Sequence, residues 1–185
     1  PQTQFETDVK FGIIGLGFQE VITWVLTSNE YHFKAFDREE TPHVKLGVVK
    51  EQGLTMCRNM LYPETLRALL ANRSKRLPFK LFELGPVIIM DSKTDTGTRT
   101  QSKLCAVLAH ASASFTEMKA VVEAVGRQLG ENAVYSPEKI SGFIEGRTAK
   151  VKMGKLNGFL GEMHPEVLQR LGIQVPVAIF EMEME

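Results

Sequence analysis

The stretch Phe79–Met90, FKLFELGPVIIM, is the tightest constraint this sequence places on its own fold. A run this rich in branched and aromatic side chains predicts a strand, with Gly85 and Pro86 forcing a bulge or bend. Residues 91–101 (DSKTDTGTRTQ) are then polar and turn-rich, and a second apolar run follows at residues 103–110 (KLCAVLAH). Two strands joined by a polar loop without a helix predict an antiparallel hairpin, because a parallel pair needs a long crossover.

The rest of the chain alternates between helical and extended patterns. Phe5, Val9, Ile13 and Leu16 recur at helical spacing, and Gly15 and Gly17 close that helix. Residues 20–26 (EVITWVL) predict a strand, Ser28 an N-cap for a short helix through Phe36, and residues 44–49 a brief strand. Pro63 sits at a first helical position, with Leu66, Leu69 and Leu70 on one face of a helix running to about Arg76. Ser114 and Glu117 form a capping box ahead of a helix that buries Phe115, Met118, Val122, Val125 and Leu129 and stops at Gly130. Residues 147–153 and 156–163 form a second hairpin around Gly154, Pro165 opens a short helix ended by Gly172, and residues 177–184 form a last strand. Strands adjacent in sequence are joined by short or polar links, which selects an α+β domain on an antiparallel sheet over a doubly wound parallel one. No repeat or linker divides residues 1–185, which read as a single domain.

Composition narrows the function classes. The 22 Lys and Arg balance 22 Asp and Glu, so the chain lacks the excess positive charge of a free-standing nucleic-acid binder. Cys57 and Cys105 lie in apolar stretches without a CxxC partner, and read as buried thiols of a reducing compartment. No run approaches 18 apolar residues, and the opening PQTQF has neither a basic nor an apolar leader character. The expected location is cytoplasmic, without membrane contact, and a start at Pro1 reads as a fragment of a longer chain.

The residues offer little visible chemistry. Gly12, Gly15 and Gly17 give GxxGxG at a helix end, the reverse of a dinucleotide fingerprint, and no P-loop is present. His32, His43, His110 and His164 lack metal-ligand spacing, and Ser112 and Ser114 lack the GxSxG context of a nucleophile. Glu162 and His164 place an acid and an imidazole on one strand face, a pair suited to acid–base work, although Pro165 makes His164 a helix N-cap. Arg73, Lys75, Arg76 and Lys80 form the one basic cluster, a solvated helix end or a candidate RNA contact.

Several ordered motifs add a resemblance. Arg58-Asn-Met-Leu61-Tyr-Pro63-Glu-Thr-Leu66, then Asn72 and Pro78-Phe-Lys-Leu-Phe-Glu-Leu-Gly85, resembles R-x-x-L-x-P-x-x-L … N … P-x-x-L-F-E-[IL]-G of the phenylalanyl-tRNA synthetase beta chain, archaeal and eukaryotic type. Phe143-Ile-Glu-Gly146-Arg147-Thr-Ala149, then Gly154, Gly158 and Gly161-Glu-Met-His164-Pro165-Glu-Val-Leu168, is similar to that family's F-x-x-G-R-x-A … G … G-x-x-G-E-x-H-P-x-V-L. Gly17-Phe-Gln-Glu20-Val-Ile-Thr23 and the closing Pro176-Val-Ala-Ile-Phe180-Glu181 fit as well.

The resemblance implies a fold like the class II aminoacyl-tRNA synthetase core, in a degenerate copy whose working counterpart is on the alpha chain. Class II catalysis needs an arginine on the motif-2 strand to grip the α-phosphate of ATP. Here that strand carries Glu83, and the motif-3 strand ends Phe180-Glu-Met-Glu-Met-Glu185 where a Gly-rich run and an arginine belong. The resemblance therefore implies no catalytic, cofactor or metal residue in this domain, with ATP and Mg²⁺ serving the whole enzyme. It implies packing on the alpha chain in a hetero-oligomer, α2β2, that charges tRNA(Phe). Arg58, Pro63, Glu83, Gly85, Gly146, Arg147, Glu162, His164 and Pro165 become structural or interface candidates. The alternating acids of the last strand imply one wet and one packed face. The alternative is a stand-alone paralogue of the synthetase core that binds an amino acid or nucleotide as an enzyme or regulator.

Overall fold

The fold is known from a computed structural model that describes residues 2–47 and 53–184. Its centre is the expected hairpin. Strand β4 (Phe79–Met90) pairs with β5 (Thr98–Ala109) in unbroken antiparallel register, from Phe79 opposite Ala109 to Met90 opposite Thr98. Gly85 and Pro86 produce no bulge, contrary to the expectation, because they stay in register with Lys103 and Ser102. The reason lies in the alternation of the strand. The Ile88 N–H donates outward to the Arg58 carbonyl (2.9 Å), and the Pro86 carbonyl accepts from Arg58 Nε (3.0 Å). Pro86 shares that outward parity, so its missing N–H removes no bond to β5.

The remaining elements run in chain order: helix α1 (Gln2–Gly15), β1 (Gln19–Glu20), β2 (Leu26–Thr27), α2 (Asn29–His32) with a 3-10 turn (Lys34–Phe36), and β3 (Met56–Cys57). Helix α3 (Tyr62–Ala71) leads into the central hairpin. After it come α4 (Phe115–Leu129), β6 (Ala133–Pro137), β7 (Phe143–Met153), β8 (Leu156–Met163), α5 (Pro165–Leu171) and β9 (Val177–Glu183). The main sheet has the order β1-β4-β5-β9-β8-β7-β6. It is mixed rather than wholly antiparallel, because β1 runs parallel to β4 beside Leu81 and Phe82. Strands β2 and β3 form a separate pair.

Most termini follow their local chemistry. Ser28 and Ser114 accept from the N–H groups of Tyr31 and Glu117, and Gly130 and Gly172 close α4 and α5 with φ of 70° and 74°. The reciprocal half of the capping box is not made, since Glu117 turns to His110 Nε2 (2.9 Å). Helix α3 ends earlier than expected because Asn72 caps it, donating Nδ2 to the Ala68 carbonyl (2.8 Å). The strand expected over residues 20–26 breaks up. Val21 still donates to the Phe82 carbonyl, but Thr23 turns to Glu83, and Ile22 and Trp24 stand 90% and 83% exposed. Of the brief strand expected at 44–49, Lys45 makes an isolated bridge to Met56, while Val48 and Val49 lie outside the described residues. The short polar β6 carried too little apolar pattern to be anticipated.

Both sheet faces are covered. Helices α1 and α4 pack Val9, Ile13, Met118 and Val122 against Phe82, Leu104 and Phe180. On the other face α2, α3 and α5 enclose Phe36, Leu61, Tyr62, Leu66 and Val167 over Leu81, Val107 and Ile179. Among the described residues no helix is long and apolar enough to cross a membrane.

A histidine inside this second layer gives the fold an acid limit. His32 is fully buried, with Nε2 2.9 Å from Asn59 Oδ1 and Nδ1 without a hydrogen-bond partner. Burial disfavours its cation and pulls its pKa down to about 4. The unfolded chain takes up that proton near pH 6.5, so stability is complete above pH 6.5 and falls as pH drops toward 4. Urea unfolding at pH 7 and pH 4 should show a loss of about 3 kcal/mol that is absent from His32→Gln. Equal losses in both proteins would assign the acid limit to other groups.

Candidate functional site

Register brings two acids, Glu83 and Glu181, onto one row. Glu83 on β4 lies opposite Cys105 on β5, which lies opposite Glu181 on β9. Both carboxylates point into the layer covered by α3 and are 2% exposed. The sequence expectation of a wet acidic face on the last strand is therefore wrong for Glu181. Strand β9 is central, flanked by β5 and β8, and covered on both sides. Glu185 lies outside the described residues.

Glu83 is held by Arg58 and Thr23. Arg58 Nη2 donates to Glu83 Oε1 (2.8 Å), and Arg58 Nη1 donates to Thr23 Oγ1 (2.6 Å). Thr23 completes the ring by donating its hydroxyl to Glu83 Oε2 (2.6 Å) and its N–H to Oε1 (3.2 Å). Arg58 is 1% exposed, so this ion pair is closed to water. Gly85 makes room for it, since a Cβ there would come within 3.1 Å of both Arg58 Nη2 and Glu83 Oε1. Arg58 thus reaches the strand from the segment before α3.

Glu181 sits at the start of α3. One oxygen accepts the N–H groups of Leu61 and Tyr62 (both 2.9 Å), and the other faces Lys103 Nζ at 3.4 Å. Two of the donors a helix start leaves open are thereby satisfied. Pro63, the next residue, lacks an N–H and needs no acceptor. Between the two acids, burial raises the Cys105 thiol well above its ordinary range, so it is an unreactive packing group.

The second motif builds another ion pair, with its arginine at the surface. Arg147 Nη1 donates to Glu162 Oε2 (2.7 Å), and Glu162 Oε1 accepts the Phe115 N–H at the start of α4 (2.7 Å). With its oxygens engaged there, Glu162 does not form the acid–imidazole pair with His164 that sequence proximity suggested. His164 instead caps α5, where Nδ1 accepts the Glu166 N–H (3.3 Å), and Pro165 follows at the first helical position. Gly146, at φ 78°, belongs to the irregular stretch where the β7–β8 register shifts.

The basic cluster divides between faces. Arg73, Lys75 and Arg76 are exposed after α3, whereas Lys80 lies on β4 with its ammonium 5.8 Å from the Phe18 ring, toward the α1 layer. Sequence reasoning missed Lys103 and the Leu61 and Tyr62 amides. Their role depends on strand register and backbone direction, which carry no residue signature.

The row of Glu83 and Glu181 thus spends Arg58 and the helix-start amides of α3 on its own carboxylates. Over residues 1–184 the chain matches the family described as phenylalanyl tRNA synthetase beta chain CLM domain. This chain belongs to the phenylalanyl-tRNA synthetase beta chain family. It is 35% identical over 186 residues to the phenylalanine–tRNA ligase beta subunit of Korarchaeum cryptofilum, covering all of this chain and 34% of that one. The beta subunit of Thermococcus sibiricus is 33% identical over 178 residues, 96% of this chain and 32% of its own length. That of Thermococcus kodakarensis is 34% identical over 195 residues, 97% and 34% respectively. The beta-chain module in hand therefore spans about a third of the length of the curated relatives it matches.

Proposed function

We propose that this chain is a degenerate class II synthetase core of the beta chain, which supports ATP-dependent attachment of phenylalanine to tRNA(Phe) by packing on the alpha chain. The observation that carries the reading is the pair of buried acids. Where a working core keeps arginines for the phosphates of ATP, this one keeps Glu83 and Glu181 in closed hydrogen-bonded units. A triphosphate there would meet two carboxylates and have to displace Arg58 and α3. ATP and Mg²⁺ then act on the alpha chain of a cytoplasmic α2β2 enzyme.

Exposed apolar side chains near the start of the chain support the packing role. Phe11, Ile14 and Leu16 on and after α1 are 68%, 47% and 36% exposed, and Ile22 and Trp24 follow within ten residues. Helix α1 already commits Val9 and Ile13 to the core, so its outward apolar residues suit a protein neighbour. Arg73, Lys75 and Arg76 supply positive charge for tRNA in the assembled enzyme.

The test is phenylalanine-dependent ATP–pyrophosphate exchange with each chain alone and with both together. The expected result is none from this chain, and activity from the alpha chain that rises when the two associate. Exchange by this chain alone overturns the reading. The double substitution Ile22→Asp, Trp24→Asp should weaken association by tenfold or more, as seen by sedimentation; unchanged association would move the contact elsewhere.

A further inference from the structure

A concave pocket opens at the end of the sheet where β7 begins, β8 ends and residues 172–176 turn back into β9. Its volume is about 590 Å³, and Ile144, Pro165, Val175 and Pro176 give it an apolar wall backed by buried Met163, Leu168, Ile173 and Val177. The polar groups on that wall are few: Arg147 with its partner Glu162, and the amides of Gln169 and Gln174. An apolar cavity with a small set of convergent polar groups is the usual form of a small-molecule site.

The charge on the wall is asymmetric in what it leaves available. Glu162 is only 10% exposed in its side chain, and its two oxygens accept from Arg147 and from the Phe115 N–H. Arg147 is 59% exposed and is held from behind by that one 2.7 Å bond through Nη1. A guanidinium has five N–H donors in a planar fork, so an anchored Arg147 keeps most of its donors for a ligand. The bond to Glu162 restrains one end of the guanidinium, which lowers part of the ordering cost of binding. Among the described residues the side-chain amides of Gln169 and Gln174 make no hydrogen bond to the protein, so they too are available.

Ligand chemistry follows from these groups. A planar fork of donors matches a carboxylate, and the surrounding aliphatic wall matches an apolar body. Glu162 offsets the charge of Arg147, so the site suits a monoanion better than a phosphate dianion. We propose that this pocket binds a small carboxylic acid with an apolar body, its carboxylate on Arg147 and its hydrocarbon against Ile144, Pro165 and Val175. The pocket lies at the end of the sheet where β9 begins and is separate from the row of Glu83 and Glu181.

The probe is 3-phenylpropionate, titrated into the isotope-labelled 185-residue chain and followed by amide chemical shifts. For about 11 heavy atoms in such a pocket, a Kd of about 1 mM is expected. Saturable shifts should centre on Arg147, Gln169 and residues 173–177. 2-Phenylethylamine, of like size and opposite charge, should bind at least tenfold more weakly. Val175→Trp fills the pocket and should abolish binding while the spectrum away from the pocket stays folded. Arg147→Lys keeps the charge, loses the fork, and should weaken binding several-fold. Shifts that fail to saturate, equal affinity for the amine, or full binding to Val175→Trp would overturn the proposal. The Val175→Trp arm stands even if Arg147→Lys disturbs the fold.

Discussion

Glu83→Ala is expected to cost the folded chain about 3–5 kcal/mol, because it removes one partner of a buried ion pair and leaves the other. Arg58 is 1% exposed and would stay inside with only Thr23 and the Pro86 carbonyl as neighbours. For a domain of this size the loss lowers the melting temperature by about 10 °C. The sharper measurement is a double-mutant cycle. Arg58→Met with Glu83→Leu removes both charges, and such apolar replacements are often neutral or stabilising. Urea unfolding should therefore place the double variant well above Glu83→Ala. If it unfolds as early as the single variant, the pair contributes through packing rather than charge compensation.

The second large effect is expected at Glu181. Alanine there strips an acceptor from the Leu61 and Tyr62 N–H groups and a counterion from Lys103. Buried donors left without partners cost about 1–3 kcal/mol each, so a total of about 3–5 kcal/mol is expected. Glu181→Gln keeps an oxygen for the amides and loses the charge, so it should recover more than half of that. Hydrogen exchange supplies the local readout: the Leu61 and Tyr62 amides should lose protection in Glu181→Ala ahead of the β5 amides. Uniform loss of protection across the sheet would mean that the carboxylate holds the whole fold and not this one helix start.

Much of the architecture was legible because it rests on local chemistry. The long hairpin of β4 and β5, the caps at Ser28 and Ser114, and the glycine stops at Gly130 and Gly172 each follow from a few adjacent residues. Failures fell where distant neighbours decide. Residues 20–26 have strand composition, yet Thr23 is drawn to Glu83, sixty positions away. Alternating acids on β9 read as a wet face until neighbours on both sides and helices on both faces enclose the strand.

The candidate site divides in the same way. Its acids were visible in the sequence, but their partners were not. Arg58 reaches Glu83 from another segment, and Glu181 is met by main-chain amides that every residue except proline possesses. Glu162 and His164 show the converse, since two residues of separation suggested a pair that the hydrogen bonding does not form.

The carboxylate of Glu181 at the head of α3 also has a thermodynamic meaning. A helix start that binds a free anion is stabilised only as far as that anion is present, by RT ln(1 + [L]/Kd). Here the anion is attached through the chain itself. The site is in effect always saturated, at a local concentration no solute can compete with. The stability of this face then does not rise and fall with the anions in solution. A helix start held by a ligand it cannot release keeps its stability at any dilution.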